Sequence, residues 1–151
     1  MGVRERLTEL GLELPPVAAP VAAYVPAVRS GNRVYTSGQL PLVDGKLAAA
    51  GKVGAEVTPE QAKELAQRCA LNALAAIDSV AGIDAVVRVV KVVGFVASAD
   101  GFTGQAGVVN GASELLGAVF GDSGQHARSA VGVAELPLGA PVEVELIVEV
   151  S

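Results

Sequence analysis

The chain contains very few of the residues that build metal sites and disulfides. It has one cysteine, Cys69, and one histidine, His126, among 151 residues. A single cysteine excludes a disulfide within the chain and fits a reducing compartment. One histidine and one cysteine are also too few for a His/Cys metal site of the usual ligand count in one chain. We therefore expect no His/Cys metal site within one chain.

Basic residues and long apolar runs are scarce as well. The 11 Lys and Arg residues are outnumbered by 16 Asp and Glu, which gives a formal net charge of −5. Tight binding to phosphate backbones requires a basic patch, so nucleic acid is not an expected partner. The longest apolar stretch is interrupted by Arg88 and Lys91, and the charged N-terminal residues do not resemble a signal peptide. We expect a cytoplasmic protein without a membrane segment.

Aromatic residues make up only 3% of the chain, although 51% of its residues are hydrophobic. Most of this apolar content is Ala and Val. Small side chains let elements approach closely, but each buries little surface. The length fits one domain with a core, and assembly into an oligomer would bury additional apolar surface.

The hydrophobic periodicity predicts an α+β domain. A short amphipathic helix from Val3 to about Leu12 suggests an N-terminal extension over residues 1–13, followed by an extended segment to Pro20 and a single domain over residues 14–151. The further elements are strands near residues 24–29 and 33–37, a helix near 58–81, a strand near 84–99, a helix near 103–120, and strands near 128–134 and 142–150. This order predicts a mixed sheet with two helices packed on one face.

Local signals define several of these elements. The sequence Thr58-Pro59-Glu60-Gln61 combines an N-cap, a proline at the first helical position and a capping box. Cys69 and Val80 lie on the helix face that we expect to be buried, so Cys69 is interpreted as a core residue. The strand near residues 84–99 is almost continuously apolar, as in strands covered on both faces. Turns are predicted at residues 30–32 and 44–45.

The two closing strands predict which residues share a face. In the strand near 142–150 the apolar residues alternate with Glu143, Glu145 and Glu149. In the strand before it, Arg128 and Ala130 point away from Val131. One sheet face is therefore expected to meet the helices. The other face is expected to carry small and acidic side chains, and a second subunit could approach it closely.

Arg128 is the strongest candidate for a binding residue. A guanidinium at the mouth of an apolar strand is costly to desolvate unless an anion or an acidic side chain pairs with it. Two interpretations follow from the residues alone. Arg128 binds a small carboxylate, or it pairs with Glu143 or Glu145 across adjacent strands. The neighbouring His126 is interpreted as an incidental loop residue.

A set of short motifs, in order from Pro20 to Val150, resembles the Rid proteins, also called the YjgF family, whose best-known members hydrolyse reactive imines and enamines. The matching pieces are Pro20-Val21-Ala22-Ala23-Tyr24, Gly31-Asn32, Thr36-Ser37-Gly38-Gln39, Val109-Asn110, Ala127-Arg128-Ser129, Leu136-Pro137 and Val142-Glu143-Val144-Glu145. The resemblance implies a chorismate-mutase-like α+β fold. It also implies a homotrimer with ligand clefts between neighbouring subunits.

The resemblance assigns roles to individual residues of the cleft. Arg128 would bind the substrate carboxylate, and Glu143 would hold or activate water. Tyr24 would line the cleft, while Ser37 and Asn110 would shape and polarise it. The implied reaction converts a 2-imino or enamino acid to a 2-oxo acid and ammonia, without metal or cofactor.

Two positions depart from the family pattern and keep other functions open. Ala130 stands where a cysteine often follows the Arg-Ser pair, and Ser113 stands where an aromatic residue is common. The alternative is a non-catalytic or regulatory binder of small carboxylate metabolites that uses the same cleft. An endoribonuclease or translation inhibitor fits less well, because single-stranded RNA is usually bound by basic and aromatic surfaces.

Overall fold

The computed structural model describes residues 1–19 and 22–151. The elements are α1 (Val3–Glu9), β1 (Ala27–Ser30), β2 (Arg33–Thr36), β3 (Leu42–Val43), β4 (Lys46–Leu47), α2 (Pro59–Ala81), β5 (Val86–Ala97), α3 (Gln105–Phe120), β6 (Ala127–Val133) and β7 (Val142–Val150). Short 3₁₀ turns follow α2, α3 and β6. Pro20 and Val21 lie outside the described residues. Pro20 is the last residue of the expected extended segment, and both residues begin the motif that ends at Tyr24.

The main sheet has the strand order β1-β2-β7-β5-β6. All neighbouring pairs are antiparallel except β5 and β6, which are parallel and joined by the crossover helix α3. The predicted mixed α+β fold with packed helices is confirmed. Strands β3 and β4 form a separate small hairpin at the predicted turn, where Asp44 and Gly45 both have positive φ.

Helix α2 begins as its sequence predicts. The backbone N–H of Gln61 donates to Thr58 Oγ1 at 3.1 Å, and the N–H of Thr58 donates to Gln61 Oε1 at 3.0 Å. The helix ends at Gly82, whose φ is +79°. The expectation that Val80 faces the core is wrong, because the buried stripe of α2 ends at Ile77, one turn before the helix does.

Strand β5 is covered on one face only, so the expectation of burial on both faces is wrong for a single chain. Val89, Val92 and Val96 are buried under the helices. Val87 and Phe95 keep partial exposure because, among the described residues, no helix packs on the opposite face, which we call the open face. The same face carries the three glutamates of β7, as predicted. The side chains on this face are not uniformly small, because the bulky Phe95 and Tyr35 also lie on it.

Glycines let α3 lie directly against its neighbours. A Cβ atom on Gly111 would overlap the backbone carbonyl of Lys63 in α2, and a Cβ on Gly94 would overlap Val109. These two contacts bring α3 close to both α2 and β5. The Asn110 side chain is thereby held near the start of β6.

Helix α1 packs on the outside of the helix layer. Leu7 is buried, and Arg6 Nε donates to the carbonyl of Ala118 at 3.0 Å. Arg4 forms an ion pair with Asp78 at 2.7 Å. These contacts lie towards the C-terminal end of α3, away from Asn110. Within residues 1–19 and 22–151, no helix is long and apolar enough to cross a membrane.

Candidate functional site

Arg128 and Asn110 lie in direct contact. Arg128 pairs with Val92 in the β5–β6 register, so it points to the helix side of the sheet. Its Nη1 donates to Asn110 Oδ1 at 2.7 Å and to Ser113 Oγ at 3.2 Å. Its Nη2 donates to the carbonyl of Ala106 at 3.4 Å. We call Asn110, Ser113 and Arg128 the arginine half-site.

The interpretation that Arg128 pairs with a glutamate of β7 is wrong. Strand β5 separates β6 from β7, so the two strands are not adjacent. Glu143 and Glu145 also lie on the open face, opposite to Arg128. In the part of the chain that the structure describes, the Arg128 guanidinium forms no ion pair.

A chain of hydrogen bonds continues from Arg128 through Ser113 to His126. Ser113 Oγ lies 2.8 Å from His126 Nε2, and His126 Nδ1 lies 2.6 Å from the carbonyl oxygen of Gly124. Since a carbonyl only accepts, Nδ1 carries a hydrogen. In the neutral imidazole Nε2 is then the acceptor, and the Ser113 hydroxyl donates to it. In the sequence, Ser113 stands out only as a departure from the resemblance, and its spacing from His126 predicts no contact.

Glu143 lines a second, separate cavity. Tyr24, Pro26, Gly38 and Pro137 are among its neighbours there. We call Tyr24, Gly38 and Glu143 the glutamate half-site. The cavity measures about 40 Å³, enough for one or two water molecules but too small for a metabolite.

The Ser-Gly-Gln motif positions the Glu143 carboxylate. The backbone of Gln39 exchanges two hydrogen bonds with Val144, at 2.8 and 3.1 Å, which fixes the motif against β7. Gly38 then lies so close to Glu143 that a Cβ would overlap the carboxylate. Burial raises the pKa of Glu143, and repulsion from the charge of Glu145 raises it further.

Ser37 has a different position from the one its expected role suggests. Its hydroxyl donates to the carbonyl of Val25 at 2.6 Å, and its N–H donates to the carbonyl of Pro26 at 2.8 Å. Ser37 therefore ties the segment before β1 to β2. This segment carries Tyr24, which is 44% exposed at the edge of the cavity.

One chain keeps the two half-sites apart. Glu143 pairs with Phe95 and Arg128 pairs with Val92, so the two residues are two strands and three rungs from each other. Ordinary strand spacings put their backbones about 14 Å apart. Their side chains also point to opposite faces of the sheet. A ligand bound by both residues therefore requires Arg128 and Glu143 from different copies of the chain.

Cys69 is a core residue, as its position in α2 predicts. It is fully buried, and its Sγ lies 3.8 Å from the carbonyl of Val142. Burial raises the pKa of the Cys69 thiol, and the charge of Glu143 raises it further. The thiol is therefore poorly suited to act as a nucleophile. Among the described residues, no cluster of His, Cys, Asp and Glu is placed to hold a metal ion.

Known proteins with similar sequences and structures cover nearly the whole chain. The family model described as Endoribonuclease L-PSP matches residues 16–150. Protein TCP17 of Trypanosoma cruzi is 45% identical over 151 residues, which are 99% of this chain and 94% of that protein. The protein Atu1372 of Agrobacterium tumefaciens, of unknown function, is 47% identical with a TM-score of 0.90, covering 99% of this chain and 92% of that one. A protein of Shewanella oneidensis MR-1 is 30% identical with a TM-score of 0.95, covering 99% and 100%.

Proposed function

The chain belongs to the endoribonuclease L-PSP family, the Rid or YjgF family that its motifs resemble, and from this premise we propose that it hydrolyses 2-imino or enamino acids to 2-oxo acids and ammonia. In this proposal Arg128 binds the substrate carboxylate and Glu143 positions the attacking water. The observation that carries the proposal is the Arg128 guanidinium, which is held in place by neutral acceptors and pairs with no carboxylate among the described residues.

The arginine half-site suits a small carboxylate. The guanidinium carries a full positive charge in a partly buried position, and its hydrogen-bond partners are an amide, a hydroxyl and a carbonyl. None of these neutralises the charge. A carboxylate that accepts two parallel N–H bonds would both neutralise and orient it, which is the geometry that arginine favours.

The glutamate half-site suits the activation of water. A raised pKa brings Glu143 closer to the range in which a carboxylate works as a base near neutral pH. Glu143 would accept a proton from a water molecule as its oxygen attacks the C=N carbon. Returning that proton to nitrogen gives a carbinolamine, and transfer of its hydroxyl proton to the same nitrogen lets the C–N bond break. Ammonia leaves and the carbon becomes a carbonyl, so one water is consumed for each ammonia released.

We propose that the working site lies between two copies of the chain in a homotrimer. The separation of Arg128 from Glu143 within one chain supports this, as does the open face of the sheet with its partly exposed apolar side chains. In a cyclic assembly each interface would bring the arginine half-site of one copy to the glutamate half-site of the next.

The test is ammonia release from enzymatically generated 2-iminopropionate by the wild type and by Arg128→Ala. The loss of a charged hydrogen-bond pair predicts a fall of about 10- to 100-fold in kcat/KM. Arg4→Ala is the matched control, because Arg4 lies on α1 outside the helix layer and should leave the rate unchanged. A wild-type protein that does not accelerate the reaction would contradict the proposal.

A non-catalytic binder of small carboxylates is the second candidate. The replacements at Ala130 and Ser113 favour it, and so does Ser37, whose hydroxyl hydrogen is held by Val25. This candidate predicts that pyruvate binds in an Arg128-dependent manner, while 2-iminopropionate is not hydrolysed. Titration calorimetry beside the ammonia assay separates the two functions.

We do not propose ribonuclease activity, although the name of the endoribonuclease L-PSP family suggests it. The net charge of −5 and the small aromatic content disfavour a single-stranded RNA surface. Salt-sensitive RNA binding by the purified protein would support a ribonuclease function instead.

The cytoplasmic location stays a prediction.

A further inference from the structure

Ser113 and His126 lie behind Arg128, and the family resemblance gives neither of them a role. Both are partly buried, and together they connect the guanidinium to the backbone of the turn before β6. The connection runs from Arg128 Nη1 to Ser113 Oγ, from Ser113 to His126 Nε2, and from His126 Nδ1 to the carbonyl of Gly124. Helix α3, the turn and strand β6 are thereby joined at one point.

The contacts of the guanidinium involve Nη1 and Nη2 but, among the described residues, not Nε. The two hydrogens of Nη1 are taken by Asn110 and Ser113, and Nη2 makes one long contact with the carbonyl of Ala106. Among the residues that the structure describes, none accepts from Nε. Nε therefore keeps its N–H, and Nη2 keeps one of its two N–H groups, for a carboxylate.

His126 sets the direction of the Ser113 hydroxyl. In the neutral form of the imidazole Nε2 accepts, so that the hydroxyl hydrogen points towards His126 and the lone pairs of Oγ remain for Arg128. Without this acceptor the hydroxyl could rotate. Without the hydroxyl, one hydrogen of Nη1 would lose its partner, and the guanidinium could turn about its long side chain.

We propose that Ser113 and His126 are positioning residues, which hold Arg128 so that its Nε–Nη2 edge faces the substrate carboxylate. This inference rests on the proposed function, because it takes Arg128 as the carboxylate-binding residue. It predicts that the pair acts on the affinity for the anion, while the chemical step at Glu143 is largely unaffected.

The experiment compares Ser113→Ala and His126→Asn with two matched variants. Asn is too short to offer an acceptor to Ser113, whereas Gln reaches about as far as Nε2, so His126→Gln should restore most of the effect. Ser123→Ala removes an exposed serine in the same turn and serves as the control. Thermal unfolding establishes that each variant is folded.

The first readout is the Nε–Hε signal of Arg128 in NMR, which needs no ligand. We expect a rigid side chain in the wild type, in Ser123→Ala and in His126→Gln, and a mobile one in Ser113→Ala and His126→Asn. The second readout is calorimetric affinity for pyruvate, with the uncharged methyl pyruvate for comparison. The two disruptive variants should bind pyruvate about 3- to 10-fold more weakly. In the ammonia assay they should raise KM more than they lower kcat.

The outcomes distinguish this inference from the proposed function. If Ser113→Ala leaves both the Arg128 signal and pyruvate affinity unchanged in an active enzyme, the positioning role is wrong and the proposed function stands. If the wild type neither binds pyruvate nor releases ammonia, the proposed function fails. In that case a mobile Arg128 in Ser113→Ala would still support the role of Ser113 and His126 in holding the guanidinium, and a rigid one would overturn it.

Discussion

Glu143 is a charged residue in a position that disfavours its charge. It is partly buried over Gly38, and Glu145 follows two residues later on the same face of β7. Both factors raise the pKa of Glu143, with burial contributing more. Charged groups held in unfavourable positions are typical of functional sites, which agrees with the proposed role of Glu143 as a base.

Glu143→Gln should lower activity and raise stability at neutral pH. We expect kcat to fall by about 100-fold or more, since amides do not accept protons. The pKa of Glu143 is higher in the folded chain than in the unfolded chain. The unfolded chain therefore releases this proton at a lower pH, and above the ordinary glutamate pKa near 4.5 ionisation of Glu143 favours unfolding. Gln removes this penalty. Urea unfolding should show the variant as more stable at neutral pH, with the difference vanishing at about pH 4.

Glu145→Gln is the matched control for this prediction. It removes the neighbouring charge and leaves the Glu143 carboxylate in place, so activity should be retained. The acid limb of the rate profile should move to lower pH, because the pKa of Glu143 falls when the repulsion is removed.

A Glu143→Gln variant that is less stable at neutral pH would contradict the account of this site.

At the level of elements, α3 has a low intrinsic helix propensity. Gly107, Gly111 and Gly117 lie within its 16 residues, and each glycine costs about 1 kcal/mol relative to alanine. Packing explains only one of the three, since a Cβ on Gly111 would overlap the backbone of α2. Gly117 has open space around its Cα.

Gly111→Ala and Gly117→Ala should therefore have opposite effects. Gly117→Ala should raise the free energy of unfolding by about 0.5 to 1 kcal/mol through helix propensity. Gly111→Ala should lower it in spite of the same gain, because the backbone of α2 cannot rotate away from the new methyl group. Chemical denaturation of both variants measures the difference. Equal stabilisation by the two substitutions would show that α2 and α3 are not in close contact.

The sequence predicts those elements that local chemistry determines. The capping box sets the start of α2, glycine ends it, and strict alternation in β7 separates Val142 and Val144 from Glu143 and Glu145. Contacts between distant segments leave no such local signal. The exposure of Val80, the open face of β5 and the contact between Ser113 and His126 depend on which surfaces meet.

For the molecule as a whole, the main difference between sequence and structure is the position of the two catalytic candidates. Motifs place Arg128 and Glu143 close together along the chain. The insertion of β5 between β6 and β7, together with the alternation of side chains, puts them on opposite faces. Strand order is a tertiary property, so the residues alone leave an ion pair between them as an open interpretation.

The proposed intersubunit site can be tested by mixing two inactive variants. Arg128→Ala retains a working glutamate half-site, and Glu143→Gln retains a working arginine half-site. After the two are unfolded and refolded together in equal amounts, each interface of a cyclic trimer has one chance in four of combining two intact halves. Ammonia release should therefore return to about a quarter of the wild-type rate.

In the control mixture, the double variant Arg128→Ala/Glu143→Gln takes the place of the Glu143→Gln variant. The double variant has no intact arginine half-site, so this mixture should restore no activity. Recovery in the first mixture alone would establish that Arg128 and Glu143 act from different copies. A mixture as inactive as its components, in trimers shown by mass measurement to contain both variants, would contradict the central claim.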